Sequence, residues 1–550
     1  MASEELDLGR RQALAFFHAM IRLRPKLASR DPLPPKIGLI TPPSPFLLDE
    51  RVFVNLGILK VAAVLEDRGV LVEHVDLSGT ENFLEAVQDY AAGTDAPVVG
   101  ITVTTPQLPS VVRIIRELRG CRPDVRIVLG GPHVTLARSA AKLEARTGRV
   151  SRAHEAWRRL ESMADTLVAG DGELAVFVAL GPDAPKVVDA DDRTGGLFLS
   201  KELYEETPFP ARHLVDLDSY HYSIDGHRST SLIAQLGCPF ACGFCGGRNS
   251  SSLRVVRTRT SASIVREVRF LYEHYGYTGF MFYDDELNVN KGVLDLMDQL
   301  AALQDTLGVE FRLRGFVKAE LFTPAQAQAM YRAGFRWLLS GFESGSESIL
   351  ENINKRAGRA ENTRAVDVAR AAGLKVKALM SVGHPGECER TIRDTQEWLL
   401  QVAPEDFDCT VITTYPGTPY YDESVPHASE PGVWTYTCRK SGDRLHAYEV
   451  DFFEVADYYK GDPKGGYKAF VFTDHLSASH LVEMRDWVEA SVRAKLGIPY
   501  SQARPALLYE HSTGQGAHAA LPPHILSRSN VTTRTTLADG TTRSQGHQAT

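Results

Sequence analysis

Cys238-Pro-Phe-Ala-Cys242-Gly-Phe-Cys245 decides how the rest of the chain is read. Its three cysteines stand four and three residues apart, directly after an apolar run, Ser231–Leu236. That run reads as a strand, so the thiols fall on the loop at its C-terminal end. Three thiolates on one tight loop can hold three irons of a [4Fe–4S] cube and leave the fourth iron open. The competing structural zinc site needs four ligands, usually as paired Cys or Cys/His sets. Cys388, Cys409 and Cys438 are scattered and unpaired, and His227 is the nearest upstream candidate for a fourth ligand.

Working outward, the C-terminal side of the loop repeats strand–helix pairs. Strands are expected over Gly279–Tyr283, Glu310–Gly315, Trp337–Phe342, Lys375–Val382 and Asp408–Thr414. Helices are expected between them, the first being Thr260–Tyr275 with Ile264, Val268, Leu271 and Tyr275 on one face. Six such units predict an open (β/α)6 barrel of TIM type, whose chemistry belongs at the strand C-termini. The unusual residues cluster there: Asp284-Asp285-Glu286, Gly341-Phe342-Glu343-Ser344-Gly345, Gly383-His384-Pro385-Gly386-Glu387 and Tyr415-Pro416-Gly417-Thr418-Pro419. Acids grouped after a buried strand are costly unless they bind something, although one of them could simply cap a helix.

On the N-terminal side, short strands at Ile37–Thr41, Leu71–Asp76, Val98–Val103 and Ile127–Leu129 alternate with helices. The pattern predicts a doubly wound, Rossmann-like parallel sheet, with ligands at the strand C-terminal ends. Three loops stand at that edge: Thr41-Pro42-Pro43, Thr104-Thr105-Pro106 and Gly130-Gly131-Pro132. Gly170-Asp171-Gly172-Glu173 closes the same edge. No Gly-x-Gly-x-x-Gly follows the first strand, which argues against a dinucleotide site. Ala140–Asp165 reads as a charged, solvated helical insertion. The expected organisation is an N-terminal helical extension (1–35), a first α/β domain (36–200), a linker (201–229), the barrel (230–430), a mostly helical C-terminal cap (431–508) and a disordered tail (509–550) rich in Thr, Ser, Gly and His.

The bulk properties are those of a globular protein: 43% hydrophobic and 24% charged residues in 550, with net charge −8. That balance carries no nucleic-acid footprint. No apolar stretch approaches the ~20 residues of a membrane span, so no membrane partner is expected. Seven cysteines, an odd number in a long chain, point to a reducing compartment. Glu4, Glu5 and Asp7 argue against a transit peptide, and the expected location is cytoplasmic.

The Cys-x3-Cys-x2-Cys spacing resembles the radical S-adenosylmethionine (SAM) superfamily, and the match extends to the motifs after the barrel strands. One departure is Leu236-Gly237-Cys238-Pro239, where many relatives have Arg-Gly-Cys-Pro. The resemblance implies that Cys238, Cys242 and Cys245 hold a [4Fe–4S] cluster and that Phe244, Gly246, Asp284, Asp285, Glu343, Ser344 and Tyr415 bind SAM. The first domain looks like the cobalamin-binding domain that precedes many radical SAM domains. It implies cobalamin contacts from Pro42, Pro43, Leu56, Thr104, Thr105, Gly130, Gly131, His133, Gly170, Gly172 and Glu173. Histidine ligation of cobalt from the first loop is excluded, because no histidine lies between Ile37 and Leu71. The segment Asp49–Leu56 is then the candidate shield for the lower cobalt face, and His133 a contact to the nucleotide tail or to backbone.

His384 departs from the family pattern, which has an apolar or aromatic residue there. It is a candidate catalytic residue facing the substrate, as proton acceptor or hydrogen-bond donor, unless it only bonds a loop carbonyl. The resemblance implies a cobalamin-dependent C-methyltransferase in which the methyl group passes from SAM through methylcobalamin to a carbon. The substrate class is a small-molecule or carrier-bound intermediate of antibiotic type, and the electron donor a flavodoxin or ferredoxin. A radical cyclase of the same architecture and a non-catalytic corrinoid or SAM sensor are the alternatives.

Overall fold

The computed structural model describes residues 33–44, 50–80, 82–148, 151–458 and 467–498, and the backbone of two two-residue strands, Thr535–Thr536 and Thr542–Arg543. The expected N-terminal helix, Asp49 of the expected shield and the expected tail otherwise lie outside the described residues.

The first sheet has six parallel strands: β1 (Lys36–Thr41), β2 (Leu71–Asp76), β3 (Val98–Thr102), β4 (Arg126–Gly130), β5 (Thr166–Ala169) and β6 (Val187–Asp189). Their order is β2-β1-β3-β4-β5-β6. The chain leaves β1 in one direction for β2 and returns on its other side for β3. Loops after β1 and β3 therefore part from each other, which opens a crevice at the C-terminal edge. The inner strands β1, β3, β4 and β5 are largely apolar because helices cover both faces, whereas the edge strand β2, Leu-Val-Glu-His-Val-Asp, is mixed. The first helix, Leu56–Glu66, shows why it starts where it does: the Asn55 side chain accepts from the Ile58 amide at 3.3 Å, satisfying one orphan donor.

Two expectations fail in this domain. Ala140–Asp165 is no solvated insertion: the helix Arg152–Met163 buries Ala153, Trp157 and Leu160 and delivers the chain to β5. Its Arg and Glu content masked an apolar stripe at helical spacing. β5 and β6 were not foreseen, because four and three residues are too short to show a period.

The second sheet has seven strands in the order β15-β14-β13-β12-β11-β8-β7. Six are parallel: β8 (His227–Leu232), β11 (Gly279–Phe282), β12 (Arg312–Phe316), β13 (Phe335–Glu343), β14 (Lys375–Val382) and β15 (Asp406–Val411). β7 (Ser223–Ile224) adds an antiparallel edge. The end strands β7 and β15 do not pair, so the barrel stays open. The first strand begins and ends about four residues earlier than expected. Gln235–Leu236 instead forms β9, paired antiparallel with β10 (Arg257–Thr258), and the cysteine loop hangs from this small ribbon. Helices cover the convex face. Glu389–Val402 buries Ile392, Trp398, Leu399 and Val402, each worth about 1.5–3 kcal/mol of apolar burial.

The C-terminal cap is not mostly helical. A four-stranded antiparallel sheet, β16 (Val425–Pro426), β17 (Val433–Thr437), β18 (Arg444–Tyr448) and β19 (Val471–Thr473), precedes the expected long helix, Ala478–Leu496. β17, Val-Trp-Thr-Tyr-Thr, is β-branched and aromatic, whereas β18, Arg-Leu-His-Ala-Tyr, carries little strand signal of its own.

Candidate functional site

The cysteine loop is held by its backbone. The Cys238 amide donates to the Leu253 carbonyl at 3.0 Å, and the Gly243 amide to the Ile353 carbonyl at 2.7 Å. Asn354 donates to the Ala241 carbonyl at 2.9 Å, and Arg254 reaches the carbonyls of Pro239 (2.8 Å) and Phe240. Gly237 sits at φ +82, where an added Cβ would stand 2.3 Å from the Val255 carbonyl oxygen. The loop entrance therefore requires glycine.

All three thiols are free. Cys242 is buried and Cys245 is open. Burial pushes the Cys238 thiol up to about 11, and the protein packed around the solvent-accessible Cys245 pushes its thiol up to about 12, so iron has to displace protons as it binds. Among the described residues, no group of three or more His, Cys, Asp or Glu gathers round one point as a single metal ion needs. A four-iron cube takes one thiolate per corner, which suits three thiols spread along a loop. His227 lies at the start of β8, opposite the cysteine end of that strand, where its ring bonds Thr278 at 3.1 Å.

Beside Cys242 lies a buried charged cluster. The Lys355 ammonium pairs with Glu343 at 3.1 Å, and Lys318 donates to the Lys355 carbonyl at 2.9 Å. Burial lowers both ammoniums. For Lys355, Glu343 and then Cys242 outweigh it and hold the group above its ordinary value. Lys318 stays lowered, by burial and then by Lys355. Burial lifts Glu286 to about 7 against the pull of both lysines. Neither lysine was foreseen. Lys318 stands two residues after β12, and that place at a strand C-terminus was the available signal.

Asp285 is open to solvent yet raised by burial, so it lines a recess walled by protein. Asp284 is different. It is 2% exposed, and one carboxyl oxygen takes the amides of Ala234 (3.0 Å) and Gln235, just ahead of the cysteine loop. It supports the loop from behind. Glu343 ends β13 at φ +66, where the pairing with β14 slips between Gly341 and Glu343. Its second oxygen accepts from Ser381 at 2.9 Å. Ser344 is buried, bonded to Thr395 at 3.1 Å and to the Ser346 amide at 3.1 Å. Tyr415 lies over Gly246, with its hydroxyl 3.0 Å from where a Cβ would be. Phe244 packs on His384, with ring centroids 5.4 Å apart.

His384 faces no open space. It is 0% exposed, with Nε2 2.8 Å from Ser381 Oγ and Nδ1 3.2 Å from the Tyr420 hydroxyl. Burial lowers it to about 4.

At the edge of the first sheet, Thr104 and Gln107 cap each other, and Gln107 donates to the Pro42 carbonyl at 2.9 Å. The loops bearing Pro42, Pro43, Thr104 and Thr105 are thereby locked together. Gly131, at φ +100, lets the β4 loop lie against Thr102 and Val103. His133 is 1% exposed, bonds Thr105 through Nδ1 at 3.0 Å, and has no hydrogen-bond partner for Nε2. A buried orphan nitrogen beside a glycine turn suits a ligand that supplies its partner. Leu56 is buried at the helix start.

The Gly170–Glu173 turn faces the barrel domain. Asp171 pairs with the buried Arg257 on β10, and Gly170, at φ +92, packs on Ala190 and Asp191. Asp191 accepts from Ser250 Oγ and the Ser252 amide, both at 2.7 Å. This seam ties the first domain to the helix that follows the cysteine loop. The segment 50–56 crosses the same seam. Arg51, 0% exposed, bonds the Ser78 carbonyl (2.9 Å) and Ser219 (2.6 Å) and pairs with Asp76. Phe53 then meets Tyr222 (4.7 Å) and Tyr283 (5.1 Å), next to Asp284. Sequence reasoning missed Asp191 and Arg257, and it placed Arg51 only within the candidate shield Asp49–Leu56, because the partners of all three lie in distant segments.

Comparison with known proteins agrees with this geometry. The description "Radical SAM superfamily" matches residues 232–399, and "B12 binding domain" matches residues 50–156. An uncharacterised methyltransferase of Pyrococcus horikoshii is 24% identical over 408 residues, covering 71% of this chain and 83% of that protein. An anaerobic magnesium-protoporphyrin IX monomethyl ester cyclase of Cereibacter sphaeroides is 24% identical over 371 residues, covering 62% and 57%. A bacteriochlorophyllide d C-8(2)-methyltransferase of Chlorobaculum tepidum is 26% identical over 349 residues, covering 60% and 68%. The solved structure of the radical SAM methyltransferase TsrM from Kitasatospora setae, with cobalamin and a [4Fe–4S] cluster, superposes with TM-score 0.59 at 17% identity, covering 84% of this chain and 89% of that one. No helix among the described residues is long and apolar enough to cross a membrane. The free thiols of the loop, the recess beside them and the orphan histidine at the sheet edge fit a [4Fe–4S] cluster, SAM and cobalamin in turn. With both domains matched in this order, the chain belongs to the radical SAM enzymes that carry a cobalamin-binding domain ahead of the radical SAM barrel.

Proposed function

We propose that this enzyme is a C-methyltransferase acting on a carbon of a small-molecule or carrier-bound intermediate of natural-product type, in the cytoplasm, with electrons from a flavodoxin or ferredoxin. The observation that carries the reading is the reach of Phe53, from the loop after β1, to Tyr283 at the mouth of the barrel. Methyl transfer between two cofactors needs their sites to share one space, and that contact joins the cobalamin edge to the SAM recess. When bound, the cluster would supply one-electron reduction of SAM, and the corrinoid would supply methyl transfer to the acceptor carbon.

The chain's own residues supply position and dryness. Cys238, Cys242 and Cys245 would hold the cluster, with Lys318 and Lys355 placed to balance thiolate charge at Cys242. Glu343 and Asp285 offer acceptors to the cationic and hydroxyl groups of SAM, while Ser344 and Asp284 hold the backbone around them. Tyr415 closes over Gly246. Gly130, Gly131, Thr104, Thr105, Pro42, Pro43 and His133 form the cobalamin edge; in the turn Gly170–Glu173 beside it, Asp171 pairs with Arg257 of the barrel domain while Gly170 and Gly172 pack on Asp191 and Val61.

The similarity to the cyclase favours one other reading, radical ring closure. Reduced enzyme incubated with cobalamin and methyl-labelled SAM separates the two. Label on the corrinoid, and a product heavier by one CH2 unit, is the expected result. Deoxyadenosine without label on corrinoid or product would overturn the methyl-transfer reading in favour of ring closure.

A further inference from the structure

We propose that Tyr420, His384 and Ser381 form a directed hydrogen-bond chain that positions the Glu343 carboxylate for SAM. Hydrogen-bond bookkeeping gives the direction. Glu343, paired with Lys355 through Oε1, can only accept, so Ser381 spends its single hydroxyl proton on Glu343 Oε2 at 2.9 Å. Ser381 Oγ must then accept from His384 Nε2 at 2.8 Å, which puts the imidazole proton on Nε2. Nδ1 is left as an acceptor, and the Tyr420 hydroxyl donates to it at 3.2 Å. Burial lowers His384 to about 4, in keeping with a neutral ring.

The chain is sealed. His384 is 0% exposed, Tyr420 1% and Ser381 6%, so water does not compete for these bonds. What it holds needs holding. Glu343 is a non-glycine residue at φ +66, on the strand where the register slips. Such a backbone persists only when its surroundings over-determine it. Lys355 on one carboxyl oxygen and Ser381 on the other fix the side chain, and each oxygen keeps a lone pair for a ligand. His384 is thereby a positioning residue. It does not accept a proton from substrate, because its acceptor nitrogen is taken and its ring has no access to the recess. The sequence-based role for His384 is corrected on that ground.

The inference rests on Glu343 being a SAM contact, and the test separates the two claims. Iron-reconstituted wild type, Ser381→Ala, His384→Phe, His384→Gln and Tyr420→Phe are compared for iron content, SAM Kd by equilibrium dialysis, and the change in the reduced cluster's EPR signal on adding SAM. Ser381→Ala and His384→Phe should raise the Kd about tenfold or more at unchanged iron content. His384→Gln, whose amide can still donate to Ser381, should recover part of the loss. Tyr420→Phe removes one oxygen at the far end and should give a smaller rise, which keeps the test open if His384→Phe misfolds. Equal Kd values in all variants would overturn the inference while leaving the functional reading intact. Wild type that holds its iron but binds no SAM would overturn both.

Discussion

Replacing Asp284 by asparagine should stabilise the protein increasingly as pH rises from 5 to 8. Asp284 is 2% exposed, and one carboxyl oxygen takes two backbone amides while the other has no partner. Burial outweighs those two bonds and lifts the group from 3.8 to about 8. The folded protein therefore keeps a proton that the unfolded chain has already released at intermediate pH. Unfolding releases that proton, so stability is greatest below about pH 4 and is lost as pH climbs through about 8. At about 1.36 kcal/mol per unit, the three units from pH 5 to pH 8 set an upper limit of roughly 4 kcal/mol, and relaxation of the site reduces it. The asparagine carbonyl still accepts from Ala234 and Gln235 but has no proton to lose. The advantage of Asp284→Asn over wild type should widen by roughly 2–4 kcal/mol, or about 4–16 °C for a domain of about 200 residues. Thermal unfolding of both iron-loaded proteins under nitrogen at pH 5, 6, 7 and 8 measures it. Melting temperatures that move in parallel, or a less stable variant at pH 8, would show that Asp284 is ionised in the folded state and refute the reasoning.

Gly131→Ala places a methyl 2.7 Å from Thr102 Oγ1 and 2.8 Å from the Val103 amide, at φ +100. A visible-spectrum titration should show cobalamin affinity falling at least about tenfold, on a conformational cost of order 1–3 kcal/mol, while iron content holds; unchanged affinity would count against a cobalamin role for this turn. Arg51→Met leaves the Asp76 carboxylate buried without its cation, which typically costs about 3–5 kcal/mol. Its melting temperature should drop by several degrees and recover in part in Arg51→Met/Asp76→Asn. A variant as stable as wild type would mean that the 50–56 segment is not anchored through this pair.

The barrel strands were legible because parallel strands buried on both faces are short apolar runs set off by turn residues, as in Lys375–Val382. The cysteine loop was legible because its spacing is local. What escaped the sequence is what depends on pairing across the chain. β17 and β18 hold each other through register bonds between Val433–Thr437 and Arg444–Tyr448, and neither alternates cleanly enough alone. Asp284 and Asp285 are neighbours of one residue type, yet one is spent on the Ala234 and Gln235 amides and the other opens to the recess. His384 stood out as unusual, but its partners Ser381 and Tyr420 are what define its part.

The central claim is that one chain holds a cluster on the cysteine loop and a corrinoid on the first sheet. Iron and cobalt content, with a visible spectrum, on anaerobically purified protein beside Cys242→Ala tests it most directly. The account predicts iron and cobalt in the wild type, and loss of iron with corrinoid retained in the variant. Zinc in place of iron would contradict the cluster assignment, and failure to take up cobalamin even on reconstitution would contradict the assignment of the first domain.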